Sequence, residues 1–253
     1  MTEFITDLIN RDSPCIFVKC GDGEFASVNG HYGTNCDNDP YTIKLKNGLI
    51  EAIDYFSHNN IYCGCWHTSN VSSYFNSIVS GKLNWIDYHT CIMDNNSFDN
   101  DHKLNLFKSI KESKRKKILV GNELLVKAQY LLNIDKHLII PYRNWVENEF
   151  DNILNTIVTY FENDENPLIL TCGGMGSKIL IMYLHKKFPN SIIIDIGSGL
   201  DYLCTKKCSR GNSYSYEKLE KYFEEILPSN WNDSMFNYIY ELAKNNIGIH
   251  LPR

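Results

Sequence analysis

Apolar residues in this chain fall into two alternating patterns. Short unbroken runs stop at glycine or proline, and longer stretches repeat at helical spacing. The runs at 14–19, 60–66, 116–121, 137–141, 167–172 and 191–196 read as buried strands. The stretch 41–57 carries Ile43, Leu45, Leu49, Ile50, Ile53 and Phe56 near helical spacing, and 101–111, 123–132, 147–161 and 177–188 read as further helices. Residues 67–100 read as mixed helix and loop. Alternating strands and helices predict an α/β fold, a Rossmann-like, mostly parallel sheet flanked by helices. Beyond it, 216–227 and 233–244 read as two helices split by Pro228, their apolar faces dominated by tyrosine and phenylalanine. The predicted organisation is an α/β domain over 1–210 and a helical C-terminal tail over 211–253 packed on the same domain. The tail either closes over a cleft or forms a homodimer contact.

Composition narrows the class. The chain has 253 residues, 43% of them hydrophobic and 22% charged, which is ordinary for a protein with a real core. A net charge of -5 argues against general nucleic-acid binding, which needs a basic surface, while a local basic patch still suits a phosphorylated small molecule. The run from Lys111 to Lys117 reads as a solvated helix end. No stretch approaches the ~18–20 apolar residues of a membrane span. Met1-Thr2-Glu3-Phe4 does not begin a signal peptide. The nine cysteines therefore read as reduced thiols in the cytoplasm.

Two glycine-rich segments fall at predicted strand ends, where such folds bind ligands. In Gly21-Asp22-Gly23-Glu24, glycine permits close approach of the backbone to a ligand. Two carboxylates at i and i+2 can point the same way and share one hard cation, Mn²⁺ or Mg²⁺. The alternative is an Asp-Gly turn with a capping glutamate. Gly173-Gly174-Met175-Gly176 leads into a helix, so its amides either cradle a phosphate or simply close a tight turn. Asp201, at a later strand end, is a general base, a ribose contact or a solvated loop residue. Trp66 and Trp145 are stacking platforms or core aromatics. Cys63, Cys65, Cys204 and Cys208 read as buried thiols sooner than zinc ligands, because the paired spacing of structural zinc sites is absent.

Four segments in order carry a family resemblance. Phe17-Val-Lys-Cys-Gly-Asp-Gly-Glu-Phe25 resembles the N-terminal signature of the GT-D fold glycosyltransferases, a strand running into Arg-x-Gly-Asp-Gly-Glu. Ile139-Ile-Pro-Tyr-Arg-Asn-Trp145, Ile169-Leu-Thr-Cys-Gly-Gly-Met-Gly-Ser-Lys-Ile-Leu180 and Ile193-Ile-Asp-Ile-Gly-Ser-Gly-Leu-Asp201 resemble its later strand-end segments, and the match spans roughly 13–205. The resemblance implies a hexosyltransferase that moves a sugar from a nucleotide-sugar, usually a UDP-sugar, to a glycan acceptor with Mn²⁺ or Mg²⁺. It implies metal ligation by Asp22 and Glu24, with Asp201 as a further catalytic candidate. Lys19, Gly21, Gly173, Gly174 and Gly176 would bind the donor diphosphate, and Asn122 and Asn144 the nucleoside.

The chain departs from the family pattern at two positions. Lys19 stands where the family carries arginine, and lysine lacks the bidentate fork. Ser198 stands where it often carries histidine, and His67 is the candidate to replace it. These departures motivate one alternative, an inactive nucleotide-sugar binding module. Asp195-Ile-Gly-Ser-Gly motivates the other, a methyltransferase dependent on S-adenosylmethionine, although that motif usually ends the first strand of a sheet.

Overall fold

A computed structural model of the chain describes residues 2–35, 37–65, 70–87, 100–201 and the single positions Cys204, Lys221 and Glu225. Trp66, His67, Cys208 and nearly all of the predicted C-terminal tail lie outside the described residues. In chain order the elements are α1 (Thr2–Asn10), β1 (Cys15–Cys20), α2 (Asp22–Val28), α3 (Ile43–His58), β2 (Tyr62–Cys65), α4 (Asn70–Ile78), β3 (Asn84–Asp87) and α5 (Asn100–Glu112). They continue with β4 (Lys117–Gly121), α6 (Val126–Leu131), β5 (Lys136–Ile139), α7 (Trp145–Asn148), α8 (Phe150–Tyr160), β6 (Leu168–Cys172), α9 (Gly176–Lys187) and β7 (Ile192–Asp195). Short 3₁₀ turns precede α6 at Glu123–Leu125 and follow β7 at Gly197–Leu200.

Seven strands form one sheet in the order β3-β2-β1-β7-β6-β4-β5, and every pairing is parallel. The architecture is Rossmann-like α/β. Central strands are apolar on both faces because helices cover both, so β1 is buried throughout its Cys-Ile-Phe-Val-Lys-Cys run. Alternation divides it: Ile16, Val18 and Cys20 face one core, and Cys15 and Phe17 the other. The first core receives α3, α4, α7, α8 and α9; the second receives α1, α5 and α6. Connections stepping toward β3 pass over the first face, and those stepping toward β5 pass over the second. That is the pattern a single crossover handedness imposes.

Several boundaries differ from the sequence reading for local reasons. The acidic loop is not an isolated turn but the start of α2. The stretch 147–161 breaks at Glu149, which leaves the helical region at φ -128°. Just before the break, Thr42 Oγ1 donates to Glu147 Oε1 and Lys44 Nζ donates to the Glu147 carbonyl at 3.2 Å. The helix at 123–132 opens as a 3₁₀ turn, because the Asn122 side chain accepts the Leu124 amide at 2.9 Å. The strand β3 lies inside the stretch read as helix and loop.

Helix α9 packs between the sheet and α3, and it is buried around most of its circumference. Leu49 of α3 is fully buried in the first core. Leu49→Ala is expected to cost about 2–5 kcal/mol, through lost burial plus a residual cavity. Urea unfolding would read this as a lower midpoint at unchanged slope. A loss below about 1 kcal/mol would contradict the packing described.

Candidate active site

The ladder between β1 and β7 ends at Phe17↔Ile194. Beyond it the two chains part. β1 feeds α2 and α3 on the first face, whereas the segment after β7 brings Leu200 and Cys204 onto the second. This divergence is a topological switch point, the place where parallel α/β sheets bind ligands. Gly21 to Glu24 follow β1 and Gly197 to Asp201 follow β7, so the two segments flank that point.

The first turn of α2 separates the two acidic residues. Gly21 is the N-cap, and its amide donates to Glu24 Oε2 at 2.8 Å, one half of a capping box. Residues two apart on a helix point roughly 200° apart, so Asp22 and Glu24 do not share a direction as a turn would allow. Asp22 is exposed, while Glu24 is buried at 6% exposure.

Glu24 meets a residue the sequence reading did not single out. Lys178, in the first turn of α9 and 1% exposed, donates from Nζ to Glu24 Oε1 at 2.6 Å and to Asp195 Oδ2 at 2.8 Å. It also donates to the Gly174 carbonyl at 3.2 Å. An ammonium has three protons, and these three acceptors match them. Asp195 Oδ2 additionally accepts the Lys19 amide at 3.3 Å, supplying the partner that the ended ladder withholds. One buried cation thus joins the acidic loop, the glycine turn and the end of β7. A signal for it was present: Lys178 is the only charged residue between Pro167 and His185, and a charge there needs a partner.

The electrostatics follow from burial and pairing. Burial acts to raise the Glu24 carboxyl, but the Lys178 charge and the hydrogen bonds from Lys178 and Gly21 outweigh it, so its pKa is lowered. Burial acts to strip the Lys178 proton, yet Asp195 and Glu24 hold the ammonium well above the usual lysine range. Asp195 Oδ1 and its register neighbour Thr171 Oγ1 are buried with no hydrogen-bond partner among the described residues.

The glycine turn is shaped by tryptophan. A Cβ on Gly176 would stand 2.4 Å from both Trp145 Cζ2 and Val146 Cγ2, and one on Gly173 would stand 3.2 Å from Trp145. Trp145 Nε1 donates to the Gly173 carbonyl at 3.1 Å. The Gly173 amide is itself taken by Ser177 Oγ at 3.0 Å. Trp145, 2% exposed and stacked on Phe150, is a core aromatic and not a platform for sugar. Gly174 differs from the other two: it has φ +61° and open space around its Cα, so of the three only it faces outward.

The remaining expected residues scatter around the same sheet edge. Lys19 lies on the second face near the half-buried Cys172 thiol, which loss of solvation and the Asp201 charge push well above its ordinary value and the Lys19 charge pulls back. Asn122 spends its side-chain oxygen on the 3₁₀ turn. Asn144 is exposed in a left-handed conformation, φ 55°, with its amide donated to Asp39 Oδ1 at 3.0 Å. Asp39 is a buried carboxylate in the loop after α2, and Asn35 of that loop packs against Gly23. Among the described residues, no group of three or more histidine, cysteine, aspartate or glutamate side chains is arranged to hold a metal ion. Of the expected pair of ligands, Asp22 is exposed at the start of α2. Glu24 has both carboxylate oxygens engaged, by Lys178 and by the Gly21 amide. No described helix is long and apolar enough to cross a membrane.

Solved structures share this fold. A selenomethionine-substituted structure of domain of unknown function 1792 has a TM-score of 0.60 at 17% identity, covering 93% of this chain and 92% of that one. A second, described by the statement that this highly conserved domain has a distinct glycosyltransferase fold, gives 0.59 at 17% identity, with 93% and 92% covered. A third, described as a new glycosyltransferase of the same domain from Streptococcus sanguinis, gives 0.58 at 16% identity, with 92% and 98% covered. At these identities the likeness establishes the fold. No protein-family model and no curated protein matches the chain.

Two outcomes follow for stability. Gly176→Ala should cost about 1–3 kcal/mol, because Trp145 and Val146 must move; a thermal melt unchanged from wild type would contradict that contact. The lowered Glu24 pKa stabilises the fold above the ordinary carboxylate value of 4.5, and this contribution is lost as pH falls through the folded value. The raised Lys178 pKa contributes fully below lysine's ordinary 10.5 and is lost only at higher pH. Wild type should therefore exceed Glu24→Gln in melting temperature at neutral pH, with a gap that narrows below about pH 4.5. A gap independent of pH would contradict the assignment.

Proposed function

We propose that this chain is a glycosyltransferase that takes a sugar from a nucleotide-sugar, a UDP-sugar, and passes it to a glycan or glycoconjugate acceptor. The observation that carries the reading is the parting of β1 and β7 at their carboxyl ends. There an exposed Asp22 leads the first turn of α2, in a fold shared with domains described as glycosyltransferases. The donor diphosphate would lie across this point. Lys19 neutralises part of its charge, and Gly174 offers an open stretch of backbone. Asn144, and the NH₂ group left to Asn122, are the nucleoside contacts. Asp201 takes the proton from the acceptor hydroxyl as that oxygen bonds to the sugar and the diphosphate departs.

Mn²⁺ or Mg²⁺ would be held by Asp22 together with phosphate oxygens and water, and when bound it offsets the charge that builds on the leaving group. No observation favours the methyltransferase reading, since the Asp195 carboxylate is engaged by Lys178 and the Lys19 amide.

Calorimetric titration of the full chain tests this. UDP should bind in a Mn²⁺-dependent manner, and Asp22→Asn should weaken that binding about tenfold or more. Absence of UDP binding, or equal binding by Asp22→Asn, would overturn the site. Release of sugar from any UDP-sugar would separate an enzyme from an inactive binding module.

A further inference from the structure

We infer that Lys178 is a built-in cation that takes up Glu24, keeps it out of any metal-ligand set, and leaves Asp22 as the acidic loop's one carboxylate for an added ion. The nucleotide arm of the test rests on the function proposed above; the metal arm does not. Both Glu24 oxygens are engaged, Oε1 by Lys178 Nζ at 2.6 Å and Oε2 by the Gly21 amide at 2.8 Å. A divalent ion on Glu24 would sit beside a buried ammonium, where low polarity magnifies like-charge repulsion. The ammonium has no proton left to redirect, because its third goes to the Gly174 carbonyl. Lys178 is accordingly a positioning residue. It fixes the α2 start against the glycine turn and β7, so that Asp22 is presented outward.

The same geometry says what happens without the ammonium. Glu24 Oε1 and Asp195 Oδ2 would lose their shared partner, next to Asp195 Oδ1, which already has none among the described residues. The two carboxylate oxygens that share the ammonium, with the unpartnered Asp195 Oδ1 on the same carboxyl group, are hard donors of the kind a divalent ion takes. The Lys178→Met chain should therefore acquire a response to metal that wild type lacks. A merely structural lysine predicts no such response.

The experiment is thermal unfolding of the full chain, followed by circular dichroism, with and without millimolar Mn²⁺ and no nucleotide. Wild type should melt at the same temperature in both conditions. Lys178→Met should melt lower, and Mn²⁺ should restore part of the loss. In the second arm, calorimetry with UDP and Mn²⁺, Glu24→Gln should keep its affinity within about twofold of wild type, where Asp22→Asn loses tenfold. A folded Glu24→Gln that loses Mn²⁺-dependent binding as Asp22→Asn does would overturn the inference. So would a wild-type melt raised by Mn²⁺ alone and made indifferent by Glu24→Gln, or a folded Lys178→Met indifferent to Mn²⁺. If wild type binds no UDP, the transferase reading fails and the metal-only melts still decide. If Lys178→Met does not fold, the Glu24→Gln and wild-type arms decide by themselves.

Discussion

Everything around the candidate site hangs on one buried ammonium. Lys178 reaches from α9 to Glu24 on α2, to Asp195 at the end of β7 and to the backbone of the glycine turn. Taking an ammonium and two carboxylates out of water is costly, and stability alone does not call for it, since a well-packed apolar group of similar volume is often as stable. What an apolar group cannot do is impose direction. Hydrogen bonds at 2.6, 2.8 and 3.2 Å fix three chain segments relative to one another. Asp22, two residues from Glu24, inherits its orientation from them.

The sheet explains why this network sits where it does. The chain leaves β1 toward one face and β7 toward the other, so the two strands part at their carboxyl ends, the place where parallel α/β sheets bind ligands. Parting leaves the Lys19 amide without a ladder partner, and the Asp195 side chain answers it. The helix that carries Lys178 is clamped between the sheet and α3, with Trp145 pressed against its first glycine. A rigid scaffold thereby supports an outward-facing acidic residue, which is the arrangement that binding of a charged ligand asks for.

Much of the fold was legible because the inner parallel strands leave nearly unbroken apolar runs, and the edge strand β5 still carries Leu138 to Ile140 ahead of Pro141. The exception, β3, offers only Trp85 and Ile86 between polar ends. The site was legible as segments, since glycine clusters at strand ends mark ligand-binding edges. Its internal wiring was not. The period of α2 turns Glu24 inward; the capping glutamate was legible in Gly-Asp-Gly-Glu, but the helix it caps and the buried partner it meets were not. Gly173 and Gly176 read as a phosphate cradle from sequence alone, whereas Trp145 and Val146 leave no room for a side chain at Gly176, and Ile140, Ser177 and Trp145 crowd Gly173. Lys178 sits just after the glycine turn, and its carboxylate partners are 154 residues before it and 17 after it. Pairings of that kind belong to the topology, not to any local pattern.

A crystal structure of the chain with UDP and Mn²⁺ would test the account most directly. The expected result is nucleotide where β1 and β7 part at their carboxyl ends, with the metal on Asp22 and the diphosphate and Lys178 still bonded to Glu24 and Asp195. Metal held by Glu24 with Lys178 swung away, or nucleotide bound elsewhere on the molecule, would contradict it.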